Sequence, residues 1–201
     1  DMHIEVRHRW FRVVLLVVLS ALSSACIHLA PMPNPGQRDE ARALGKIFKA
    51  LTPEAREEVV KEHKVTQELR ITLDELGKLS RPEFTKRFNS YSEQLIAIQS
   101  KRRELQQALG SRYWNSPLVL AVQQGAVQQL QQDMARNQKW IELAEGVRLR
   151  VELGREEDFP ELTMLSHQLD IFLAEKSDLD PFANRIQTLQ EAFRLSGTDF
   201  D

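Results

Sequence analysis

Few side chains in this sequence have the chemistry for catalysis or ligand coordination. The strongest nucleophile is Cys26, the only cysteine among 201 residues. A thiol reacts as its thiolate, so it needs a base or a positive neighbour to be activated. Beyond it stand three histidines, His28, His63 and His167. Glu58 and Glu62 are four residues apart and share a helical face, while His63 is turned away by about 100°. That trio reads as a solvated charged face rather than a metal site. His167, between Leu165 and Leu169, reads as a structural, partly exposed histidine. No G-x-S-x-G, no phosphate-cradling glycine loop and no H-E-x-x-H occurs. Catalysis needs a converging nucleophile, base and oxyanion donors. The expectation is a chain that is not an enzyme and holds no metal and no cofactor.

Cys26 closes the stretch RHRWFRVVLLVVLSALSSAC. Arg7, Arg9 and Arg12 form a basic head, and Val13 to Leu22 follow as an uncharged run interrupted only by Ser20. A spanning helix needs roughly 18 or more apolar residues, and the run reaches that length only by including serines and His28. A basic head, a short apolar segment and small residues before a cut are the marks of a secretory signal peptide. Leu22-Ser23-Ser24-Ala25-Cys26 resembles the lipobox of bacterial lipoproteins, with Ser23 where that family usually has leucine. The resemblance implies cleavage before Cys26 and a covalent lipid on its thiol. It also implies a chain tied to the bacterial envelope, facing the periplasm. Several acyl chains anchor a protein stably, and the modification removes an unpaired thiol from an oxidising compartment. In enteric lipoproteins an Asp after the cysteine retains the protein at the inner membrane. Ile27 stands here, which points to the outer membrane.

Pro31, Pro33 and Pro35 make the following segment a semi-stiff tether. The expected organisation is a signal peptide over 1–25, a lipidated cysteine and Pro-rich tether over 26–38, and one helical domain over 39–201. Net charge is −2, not basic enough for a general nucleic-acid footprint, which needs clustered Lys and Arg on one face. The low glycine count, 8 residues, and the abundant glutamine suit long solvated helices.

The remaining prolines act as punctuation. Pro53, Pro82, Pro117, Pro160 and Pro181 each follow a capping side chain within two residues, as a first-turn proline does. They predict five helix starts, with a further helix over roughly 39–50. Gly110, Gly154 and Gly197 mark stops. From Pro82, the residues Phe84, Phe88, Tyr91, Leu95, Ile98, Arg102, Leu105 and Leu109 follow alternating steps of four and three, an a/d seam with one polar member. Arg102 either sets register or lets its charge snorkel out. Over 117–153 the corresponding stripe reads Leu120, Val127, Leu130, Met134, Ile141, Ala144 and Val151. Leu69, Leu73 and Leu76 share a face of the helix expected from Pro53. The fold class is all-α: an elongated antiparallel helical bundle of about six helices, with coiled-coil-like packing of the long ones.

Two segments are candidate partner surfaces. The turn holding Arg112, Tyr113 and Trp114 joins the two best-patterned helices and carries residue types that dominate interfaces; it reads either as a staple onto the bundle end or as a docking tip. The glutamine-rich run with Gln124, Gln128 and Gln131 has Gly125 and Ala126 beside it, small enough for a helix to approach closely.

These features suggest a non-catalytic envelope lipoprotein. It would be a scaffold, adaptor or assembly factor for a membrane-associated machine, partnered by the membrane through its lipid and by an unidentified envelope protein. Leu51-Thr52-Pro53-Glu54-Ala55-Arg56 resembles the LTxxQ-type motif of the Spy/CpxP family, without its glutamine, and implies a periplasmic chaperone or stress sensor. A mechanical envelope spacer is the third reading, and it requires homo-oligomers.

Overall fold

The apolar seams decide the architecture. A computed structural model describes residues 33–154, 160–175 and 179–201. Among them are five α-helices: α1 (Pro35–Asp74), α2 (Arg81–Gly110), α3 (Pro117–Glu152), α4 (Pro160–Ala174) and α5 (Ala183–Phe193). A 3-10 turn, Gly197–Phe200, follows. No strand occurs among the described residues. Cys26 and its surroundings lie outside them.

α1, α2 and α3 run up, down and up. Glu40 meets Asn115, Glu62 meets Arg102, and Thr72 meets Tyr91, so partner numbers fall along α2 as they rise along α1. α4 and α5 both pack on α1 and α3. Together they form the fourth leg of the bundle, split in two. Arg70 pairs with Asp170, Phe48 stacks on Phe182 with ring centroids 5.1 Å apart, and Arg42 pairs with Asp199, so this leg is antiparallel to α1.

Every one of the eight expected seam residues of α2 is buried. The stripe of α3 is rotated from expectation. Its centre runs through Val119, Val122, Gln123, Ala126, Leu130, Asn137, Trp140, Ala144, Val147 and Val151. Leu120, Val127, Met134 and Ile141 stand at its edge, half-buried.

Pro53 starts no helix; it lies inside α1, whose 40 residues also take in 35–38 of the expected tether. A proline there forfeits the bond to the Lys49 carbonyl. Both residues are exposed, so water reaches the freed group. Thr52 donates its hydroxyl to the Phe48 carbonyl at 2.8 Å. Burial of Ala41, Leu44, Phe48 and Ala55 on this side of α1, at about 1.5–3 kcal/mol for each large side chain, outweighs a proline cost of about 3 kcal/mol. Pro82 and Pro117 do open helices. Ser116 caps α3 by accepting from the Val119 N–H, while Ser80 makes no side-chain cap. α5 is capped by Arg194, in the left-handed conformation at φ 53°, ahead of Gly197. Its next residue, Leu195, donates its N–H to the Gln190 carbonyl at 2.9 Å, satisfying the last turn.

Candidate functional site

The core is two apolar clusters, not one. The first joins Leu44 and Phe48 of α1, Leu105 and Leu109 of α2, Trp114, Val119 and Leu130, and is closed by Phe182, Leu189, Phe193 and Phe200. The second joins Leu69 and Leu73, Phe84, Phe88 and Leu95, Trp140 and Val147, and is closed by Leu165 and Leu169 of α4.

Between them lies a charged layer. Glu62 and Arg102 are each only 2 % exposed. Arg102 donates Nη1 and Nη2 to the two Glu62 oxygens at 3.0 and 2.6 Å. Arg136 of α3 adds Nη2 to the same carboxylate at 3.0 and 3.1 Å, and its Nη1 donates to Asp133 at 2.8 Å. Asn137, with its amide oriented to match its neighbours, donates to Glu62 and accepts from Arg102 Nη1 at 3.1 Å. Burial works against the Arg102 charge. The hydrogen bonds and charge of Glu62 overcome it and hold the guanidinium above its ordinary pKa. The Arg136 guanidinium carbon lies 4.9 Å from the ring centre of Phe172 and 5.4 Å from that of Trp140, a cation–π arrangement.

Glu58 and Glu62 are therefore not a solvated face. Glu58 is buried and paired with Lys61 at 2.9 Å, and Glu62 is the hub of three helices. The burial of Glu62 is stable because partners arrive from α2 and α3, which nothing in the α1 sequence announces. Nor does Arg102 snorkel; it is paired in place. His63 faces Phe172, with ring centroids 6.3 Å apart, and His167 is exposed.

Above the charged layer opens a cavity of about 460 Å³, bounded by α1, α3, the end of α4 and the start of α5. Its floor is Glu62, Arg102, Asp133 and Arg136, and its walls include Phe172, Glu175, Pro181 and Arg185. Apart from Glu62, read as part of a solvated face, and Arg102, read as the polar member of a seam, none of these residues stands out in the sequence. The signal was present in α3. Its seam keeps the three-and-four spacing through Gln123, Asp133 and Asn137, polar residues at positions that face the bundle interior.

The turn between α2 and α3 is held by α1. Glu40 accepts from the Asn115 and Ser116 backbone N–H groups at 3.1 and 2.8 Å and from the Asn115 amide at 3.0 Å. The Ser116 N–H is the main reason the Glu40 carboxyl sits below its ordinary pKa. Gln123 donates to the Leu109 carbonyl and, at 3.0 Å, to that of Arg112. Trp114 is 1 % exposed and belongs to the first cluster, so its place in an exposed docking tip is corrected. It is the staple, with the Arg112 guanidinium 4.6 Å from its ring centre. Tyr113 points the other way and is 80 % exposed. Gln124, Gln128 and Gln131 are exposed along α3. Gly125 receives the Arg185 side chain and Ala126 enters the core, so these small residues serve contacts within the bundle.

No family model, curated protein or solved structure matches the chain. Among the described residues, no helix is long and apolar enough to cross a membrane, and no group of three or more His, Cys, Asp or Glu is placed to hold a metal ion.

Proposed function

We infer that the protein is a non-catalytic lipoprotein of the bacterial envelope, joined to a membrane through lipidated Cys26 and facing the periplasm. In this reading the helical domain is a scaffold, adaptor or assembly factor for a membrane-associated machine. The observation that carries it is the basic head, short apolar run and Leu22-Ser23-Ser24-Ala25-Cys26 ending before a proline-rich segment. The three long helices would pack as a coiled-coil-like, elongated shaft along their three-and-four seams. Tyr113, held outward on a turn that Glu40 braces, is the contact residue best prepared for a partner, beside Arg112. The exposed Gln124, Gln128 and Gln131 offer a second surface.

The Spy/CpxP-like reading draws less support. Its six residues lie inside α1, where Ala55 is buried, Glu54 pairs with Lys101 at 2.9 Å and Arg56 donates to the Leu179 carbonyl at 2.9 Å. They are engaged in packing α1 against its neighbours.

Two experiments test the proposal. Cys26→Ala, with fractionation and an acyl label, should lose the label and move out of the membrane fraction; complete retention without label would sink the lipoprotein reading. A photo-crosslinker at Tyr113 in the native cell should capture one dominant envelope protein. A broad set of unfolded clients would favour the chaperone instead, and capture of the chain by itself the spacer.

A further inference from the structure

The cavity over the charged layer has an uneven distribution of charge. On its floor the charges compensate one another: Glu62 and Asp133 are matched by Arg102 and Arg136. Two wall residues remain. Arg185, near the start of α5, makes one side-chain hydrogen bond, from Nη2 to the Gly125 carbonyl at 3.3 Å, and has no carboxylate partner among the described residues. Glu175, just past the end of α4, has no cationic partner among them. The two line one cavity and do not pair with each other.

The seat of Arg185 is shaped for it. Its guanidinium lies against the α3 backbone, where a Cβ on residue 125 would stand 2.8 Å from Nη1. An alanine there would push the guanidinium off this seat. The guanidinium rests on the scaffold with no carboxylate on its other N–H groups among the described residues, and a planar fork of this kind matches a carboxylate. Phe172 and Pro181 add apolar lining to the same cavity. A cavity of about 460 Å³ falls within the range of small-ligand sites.

We propose that this cavity binds a small zwitterion of amino-acid or short-peptide type, with its carboxylate on Arg185, its ammonium on Glu175 and its side chains against Phe172 and Pro181. A simple anion would meet the Asp133 and Glu175 carboxylates as well as Arg185. A simple cation would meet three arginines. A molecule carrying both charges satisfies both walls. The site is independent of how the chain is anchored.

The test is a titration of the full helical domain followed by amide and arginine side-chain NMR shifts, with L-alanyl-L-alanine as the probe. Its N-acetylated form, its C-terminal amide and sodium acetate are the comparisons. The free dipeptide should bind, and blocking either end should weaken it about tenfold or more, the size of one charge-assisted hydrogen bond. Arg185→Gln should abolish the preference for the free carboxylate, and Glu175→Gln the preference for the free amine. Gly125→Ala should weaken binding with every charge retained. No shift with the free dipeptide, acetate binding as well as the dipeptide, or affinity unchanged in both charge variants would each overturn the proposal. Loss of the Cys26 lipid label would leave all these outcomes unaffected.

Discussion

Glu62–Arg102 and Asp199–Arg42 both join distant segments through a carboxylate and a guanidinium, at 2.6 and 2.9 Å. The first pair is buried at the middle of the bundle. The second lies at the surface, where Arg42 and Lys49 of α1 hold the C-terminal turn through Asp199 and Asp201. Bond length does not separate the two regions; solvent does. Water has been stripped from Glu62 and Arg102, and each now depends on the other. At the turn, water screens the charges, and Phe200, buried against Gly45, holds the segment down. The interior pair enforces which helices meet, whereas the surface pairs trim a contact that apolar burial already makes.

Removing one interior partner should have the largest effect. Glu62→Ala leaves the buried Arg102 without its carboxylate and should lower unfolding free energy by about 3–5 kcal/mol in urea melts. The double variant Glu62→Leu, Arg102→Met should recover most of that loss; a double variant as unstable as the single would break the contrast. Next comes Gly45→Ala. Its added Cβ overlaps the Phe200 ring and should cost about 1–3 kcal/mol. In a Phe200→Ala background the same change should be neutral or stabilising, because alanine favours helix over glycine.

Smaller again is an acid response. The Ser196 backbone N–H, with Arg42 second, lowers the Asp199 carboxyl to about 2. An unfolded aspartate titrates near about 3.9. A depressed carboxyl stabilises the fold fully above its unfolded value, so this contribution is whole above about pH 4 and is lost as pH falls toward 2. NMR titration of Asp199 should give a midpoint near 2, and Asp199→Asn should flatten the stability profile over that interval. The smallest change is Lys49→Ala, at most about 1 kcal/mol and shrinking in salt. A loss matching that of Glu62→Ala would erase the distinction between the two regions.

The same distinction explains what could be read from sequence. The α2 seam was legible because seven of its eight buried positions are apolar and the spacing carries the eighth, Arg102. The α3 stripe was misplaced because its centre passes through Gln123 and Asn137, which a search for hydrophobic residues discards. Glu62 reads as a surface residue because its burial depends on cations from two other helices, information absent from its own neighbourhood. Pro53 misled for a related reason: the caps and the proline are local, but the packing that carries α1 through them is not. At the α2–α3 turn the residue types were informative, yet adjacent Tyr113 and Trp114 point to opposite environments, and Glu40, far off in sequence, braces the turn that separates them.

The fourth leg of the bundle is two helices, with α4 ending at Ala174 and α5 beginning at Ala183. Leu165 and Leu169 cover one apolar cluster, and Leu189 and Phe193 the other. Cooperativity is therefore to be counted by halves. In hydrogen exchange the chain should behave as two foldons sharing α1, α2 and α3 and riveted at the Glu62 layer. Loosening α5 would raise amide exchange over 183–193 while leaving the protection of 160–174 in place.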